Sequence, residues 1–86
     1  MEIIKLIEIV KKKITREIVL EEINIEDKSF LHKSHKNNFS NKFHLKIIII
    51  SDELKSKKKI DSTKKIYKIL ENELKNHIHS IQLSIN

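Results

Sequence analysis

The sequence predicts an α+β domain in which a three-stranded mixed sheet is covered by helices on one face. Three observations carry that reading. Apolar residues near the N-terminus recur every three or four positions, the spacing of an amphipathic helix. Three later segments are β-branched and alternate or run together as strands do. A helical pattern separates the last two of these segments, so they are expected to lie parallel through a right-handed crossover, with the helices on one side of the sheet.

Residues 2–14 place Ile3, Leu6, Ile7, Val10 and Ile14 on one helical stripe, with Lys and Glu opposite. In residues 18–26, "IVLEEINIE", the period shortens. Val19, Ile23 and Ile25 are expected to share one face of a strand, with Glu21 intruding among them, and Glu22 and Asn24 the other. Residues 42–51, "KFHLKIIIIS", form the firmest strand, with Phe43, Leu45, Ile47 and Ile49 on one face. His44 and Lys46 fall on the opposite face, which turns apolar at Ile48 and Ile50, so this strand is expected to be covered on both sides near its end. A short helical turn follows in residues 52–61. Asp61 or Ser62 then caps a helix to about Lys75, whose buried stripe is Ile66, Tyr67, Ile69, Leu70 and Leu74, the tyrosine hydroxyl reaching water. The closing "IHSIQLSI" alternates, with His79, Ile81, Leu83 and Ile85 on one face. The order is α-β-β-α-α-β.

Composition narrows the function. A chain of 86 residues hides roughly 60–65% of its unfolded surface, enough for one modest core in a single domain, residues 1–86. That favours a binding module over an enzyme, and no nucleophile–base or paired-carboxylate pattern argues otherwise: Glu26, Asp27 and Ser29 offer none. With no cysteine there is no disulfide, thiol nucleophile or Cys-type zinc site, and a soft metal would need histidine or ligands from a partner. The longest uninterrupted apolar run is Ile47–Ile50, and no signal peptide is visible, so a cytoplasmic chain with no membrane association is expected. The net charge of +6 hints at an anionic partner. It is weakened by a compositional skew, since Ile (18), Lys (17) and Asn (7) make up 42 of 86 residues and Arg16 is the single arginine. Lysine attracts phosphate but lacks the planar fork that reads guanine.

Four strings in register, in the right order across nearly the whole chain, resemble the BolA-like proteins: "DKSFLHKSH" after the first strand, "FHLKIIIISD" as the second, "KKIYKILENEL" in the long helix and "HIHSIQLSI" as the last strand. The resemblance implies a class II KH-like αββααβ fold without the Gly-x-x-Gly loop with which KH domains clamp nucleic-acid backbone. It also implies a partner, a monothiol glutaredoxin, which brings cysteine and glutathione to a shared [2Fe–2S] cluster while the BolA-like chain brings histidine. By position, the histidine of the family's last strand falls on His79, and the loop ligand, His or Cys depending on subfamily, on His32, with His35 as its substitute. The free chain is expected to be a monomer carrying no cofactor of its own.

On the residues alone, His79 reads as a partly buried histidine satisfied by a backbone group; the resemblance shifts it to a ligand. His32 and His35, alone, are ordinary solvated loop residues. His44 is expected to serve packing. The alternative function is nucleic-acid binding in transcriptional regulation, through Lys57, Lys58, Lys59, Lys64, Lys65 and Lys68. Against it, the family's Arg-His-Arg before Ile-Tyr is here Ser62, Thr63 and Lys64, and its Phe-x-Gly is replaced at Leu54 and Ser56.

Overall fold

The computed structural model describes residues 1–29 and 42–86. Helix α1 (Ile3–Glu17) leads into strand β1 (Glu22–Asp27), and strand β2 (Phe43–Ile50) follows the undescribed segment. Helices α2 (Asp52–Lys55), α3 (Lys59–Ile69) and α4 (Glu71–Asn76) then carry the chain back to strand β3 (Ile78–Ile85). The sheet order is β1-β2-β3, antiparallel between the first pair and parallel between the second, as the crossover requires.

Strand β2 is the centre of the molecule. Its inward residues Leu45, Ile47 and Ile49 are buried, and α1 meets them with Leu6, Val10 and Ile14. Ile66 and Leu70 at the α3–α4 end, and Leu54 of α2, complete the layer. Each fully buried aliphatic side chain contributes about 1.5–3 kcal/mol of transfer free energy, so this one layer is the dominant favourable contribution to folding.

The opposite face is less buried. Ile50 keeps 38% of its surface exposed and Ile48 is only half-buried, so among the described residues the second layer of cover expected over the end of β2 is not found. Their β1 partners across the ladder are Glu22 and Asn24, and Ser84 lies beside Ile48 on β3, so the apolar pair sits within a polar surface. Two further expectations fail for related reasons. Val19 is 78% exposed, because α1 runs to Glu17 and the chain enters the core through Ile18 instead. The residue that follows a helix is placed by the helix end, and that shifts the start of β1 to Glu22. Tyr67 is 40% exposed and lies off the stripe defined by Ile66 and Leu70.

Helix ends are managed without glycine, which the sequence lacks. No described residue has a positive φ, so no left-handed cap is used. Ser51 caps α2: its Oγ accepts from the Leu54 amide at 3.2 Å and donates to the Val19 carbonyl at 2.7 Å, tying the α1–β1 connection to the end of β2. Ser62 is not the cap that its position proposes. It is fully buried inside α3, whose first residue is Lys59, and its hydroxyl donates to the Leu54 carbonyl at 2.6 Å. The helix predicted as one piece is interrupted at Leu70, where φ −98° and ψ 16° leave the helical region.

The buried Glu73 of α4 accepts from Lys13 Nζ of α1 at 2.7 and 2.9 Å, a pairing across 60 positions of sequence. Burial by itself would raise the Glu73 pKa. Hydrogen bonds from Lys13, Asn72 and its own backbone, with the Lys13 charge, outweigh that and hold the carboxyl below the ordinary glutamate range. A lowered folded-state pKa stabilises the fold above the ordinary glutamate value, and that stabilisation is lost as pH falls through the lowered one. Because Lys13 keeps 37% side-chain exposure, water screens the pair, and Glu73→Gln is expected to cost about 1 kcal/mol at neutral pH rather than the larger loss of a fully buried pair. Denaturant midpoints between pH 3 and pH 7 check this: the variant is expected to lose less stability on acidification than the wild type.

Candidate functional site

The pairing of β2 with β3 is irregular at one place. Phe43 lies opposite Ile78 and His44 opposite Ser80, so His79 is an extra residue in β3. Such a bulge re-aims side chains, and burial on either side of it shows how. Ile78 is fully buried, and Ile81, three positions later, packs against the same core, whereas unbroken alternation would put them on opposite faces. Between them His79 and Ser80 are both exposed. His79 therefore does not share the inward face with Ile81, Leu83 and Ile85, as simple alternation predicts. The extra residue lets Ile78 and Ile81 both face the core, and it turns His79 out.

The turn places His79 beside His44. The two imidazole centroids are 4.8 Å apart, with the rings tilted by 51°. His44 is half-buried on the less buried face of β2, and its Nδ1 lies 2.5 Å from Ser80 Oγ. Its backbone is held as well: the amide donates to Ser29 Oγ at 3.0 Å, and the carbonyl accepts from the Lys28 amide at 2.7 Å. Asp27 Oδ1 accepts from the Ser29 amide at 2.9 Å, so Asp27 and Ser29 secure the chain alongside His44. The backbone of His44 is thus fixed in the sheet, and sequence spacing did not reveal that its ring meets that of His79. The signal was present in the string "IHSI", where two isoleucines three apart in a strand require a slip of phase.

His32 and His35 lie outside the described residues. His77 is half-buried at the end of α4, and its carbonyl accepts from the Phe43 amide at 2.9 Å. Among the described residues no group of three or more His, Asp or Glu side chains gathers to hold a metal ion. No helix among them is long and apolar enough to cross a membrane.

The lysines of the alternative site divide. Lys57 and Lys59 line a cleft beside Leu83 and Ile85, while Lys58 and Lys64 are exposed. Lys65 and Lys68 line a groove between α1 and α3 into which Lys13 and Arg16 also project, with Glu17 and Ile69. Sequence reading did not join Lys13 and Arg16 to this set, because their proximity comes from helix packing.

A small αββααβ domain with a histidine presented at the polar end of its sheet is the class that fold and geometry define. The family of BolA-like proteins matches residues 14–86, and the chain belongs to that family. A relative from Haemophilus influenzae, named DNA-binding transcriptional regulator BolA, is 32% identical over 78 residues, covering 91% of this chain and 73% of the relative. Among solved structures, the BolA domain of SufE1 from Arabidopsis thaliana superposes with a TM-score of 0.75 at 26% identity, over 90% of this chain and 85% of that one. BolA1 from the same plant gives 0.74 at 21% identity, with the same coverage, a likeness of fold.

Because His79 is exposed and outside the core layer, His79→Ala is expected to change folding stability by less than about 0.5 kcal/mol. Thermal melts of the two proteins check it, and a matching melt makes any binding loss attributable to the imidazole.

Proposed function

We propose that this chain is an adaptor that pairs with a monothiol glutaredoxin and lends histidine nitrogen to a [2Fe–2S] cluster held between them. The observation that carries the reading is His79, turned out of the strand by the bulge at the polar end of the sheet. A rigid strand holds it, as a ligand position requires, and a partner can reach it without disturbing the core. The donor set fits the cluster. The chain has no thiol, so what it offers iron is imidazole, and imidazole can replace thiolate on one of the two irons. When bound, the cluster supplies one-electron redox chemistry and iron–sulfur cargo. The chain's own residues position the imidazole and shape the surface around it. By family resemblance the second ligand is His32, with His35 as its substitute. In this reading the chain catalyses nothing itself.

The test reconstitutes the glutaredoxin complex with glutathione, iron and sulfide, and compares wild type with His79→Ala by visible absorption and circular dichroism. The variant is expected to lose or alter the cluster spectrum and to weaken the complex by about tenfold or more. Identical spectra and identical complex stability would remove His79 as a ligand.

A second reading, nucleic-acid binding in transcriptional regulation, is favoured by the groove where Arg16 and Lys13 join Lys65 and Lys68, with Lys57, Lys58, Lys59 and Lys64 along the same helical region. The name of the Haemophilus influenzae relative supports it too. Specific binding would persist near 0.15 M salt, with a log–log salt slope of about −0.9 per phosphate contacted. Arg16→Ala would reduce that slope by about one. Binding confined to low salt, without sequence preference, would reflect net charge and count against this reading.

A further inference from the structure

Strand β3 is an edge of the sheet, with β2 as its one neighbour among the described residues. Asn86 shows which backbone groups face that neighbour. Its amide donates to the Ile49 carbonyl at 2.8 Å, and its carbonyl accepts from the Ser51 amide at 3.0 Å. Backbone groups alternate sides along a parallel-paired strand, so Ser84 and Gln82 turn theirs to β2 as well, while Ile85, Leu83 and Ile81 turn theirs away. Such an outward row of donors and acceptors is a template for one more strand. We propose that the Leu83–Ile85 end of this edge takes an extended acidic peptide segment of another protein as a fourth strand.

Three observations support this occupant. The first is an unguarded edge. Charged residues make up 35% of the chain, yet positions 78–86 hold no Lys, Arg, Asp or Glu. The other edge, β1, carries Glu22, Glu26 and Asp27. Charges on an edge strand discourage strand addition, so β1 is protected and β3 is not. The second is a cleft alongside. Leu54 of α2 and Leu83 and Ile85 of β3 line it, together with Lys55, Lys57 and Lys59. Leu83 and Ile85 are only half-buried, which leaves apolar surface for a side chain of an added strand. The third is charge. All three lysines are exposed, and none has an ion pair among the described residues, whereas Lys13 and Lys28 each have one. No acidic side chain is among the described residues lining the cleft, so carboxylates are what it would attract.

A nucleic-acid strand fits this place less well. No aromatic side chain among the described residues lines the cleft to stack a base, and the outward carbonyls oppose phosphate. On an added strand, residues two apart share a face. The fitting segment therefore sets an apolar residue over Leu83 and Ile85, with an acidic residue two positions to either side. His79 lies six positions back along β3, about 20 Å away, so this surface is separate from the one used in the cluster-adaptor reading.

The test titrates the 15N-labelled chain with the peptide Ser-Glu-Thr-Leu-Thr-Glu-Ser at about 0.15 M salt, following backbone amides by NMR and hydrogen exchange. The Leu83 and Ile85 amides are expected to shift and to gain protection, while those of Gln82 and Ser84, already bonded to β2, change little. The same peptide with lysine in place of glutamate is expected to bind about tenfold more weakly or worse. The double variant Lys57→Glu, Lys59→Glu changes two exposed side chains and is expected to reverse that preference. Unmoved Leu83 and Ile85 amides at about 1 mM peptide, or equal binding of the two peptides, would overturn the proposal. Protection of these amides that rises with protein concentration alone, with a dimer in sedimentation, would overturn it in favour of a second copy. An oligonucleotide that moves them where the peptide does not would overturn it in favour of nucleic acid.

Discussion

The structure depends on burying one face of one strand. Strand β2 is hydrogen-bonded on both sides, and Leu45, Ile47 and Ile49 reach the buried layer beneath the helices. Helices α1 and α3 are long enough to cover that layer and no other. The opposite face is the less buried one, where Lys46, Ile48 and Ile50 lie half-buried or exposed. A chain of this size can satisfy one core, and everything functional must be arranged on what that core leaves outside.

The bulge in β3 follows from the same constraint. Ile78 closes the core beneath α4, and Ile81, Leu83 and Ile85 close it along β2. A strand with period two cannot send positions 78 and 81 to the same side. One extra residue resolves the conflict, and that residue is His79. The core's need for a change of phase is thus what delivers an imidazole to the surface, next to another on the adjacent strand. Packing and presentation are one structural event.

Charge is distributed differently. The Lys13–Glu73 pair ties α1 to α4 at the rim of the core, so one lysine of the basic groove already has an acidic partner. The remaining cations of that groove stand where packing of α1 on α3 puts them, in a chain whose lysine content reflects a general compositional skew. The histidine pair is different in kind, because its geometry depends on strand register rather than on the number of such residues present.

Much of this was legible in the residues. Helical spacing at Leu6, Val10 and Ile14, alternation at Leu45, Ile47 and Ile49, and a helical segment between two strands determine the element order and the sheet topology. These are local periodicities, and local periodicity survives in a sequence. His79 was legible as a candidate ligand, through its place in a string that resembles those of the family. Tertiary structure alone decided which face of β2 would be the less buried, where Val19 and Tyr67 would point, that Ser62 would serve Leu54 rather than cap a helix, and that His79 would meet His44. Each of these depends on a register or on the exact end of an element. A shift of one residue reverses the side to which a strand residue points, and a single sequence encodes that shift only through the packing of all the others.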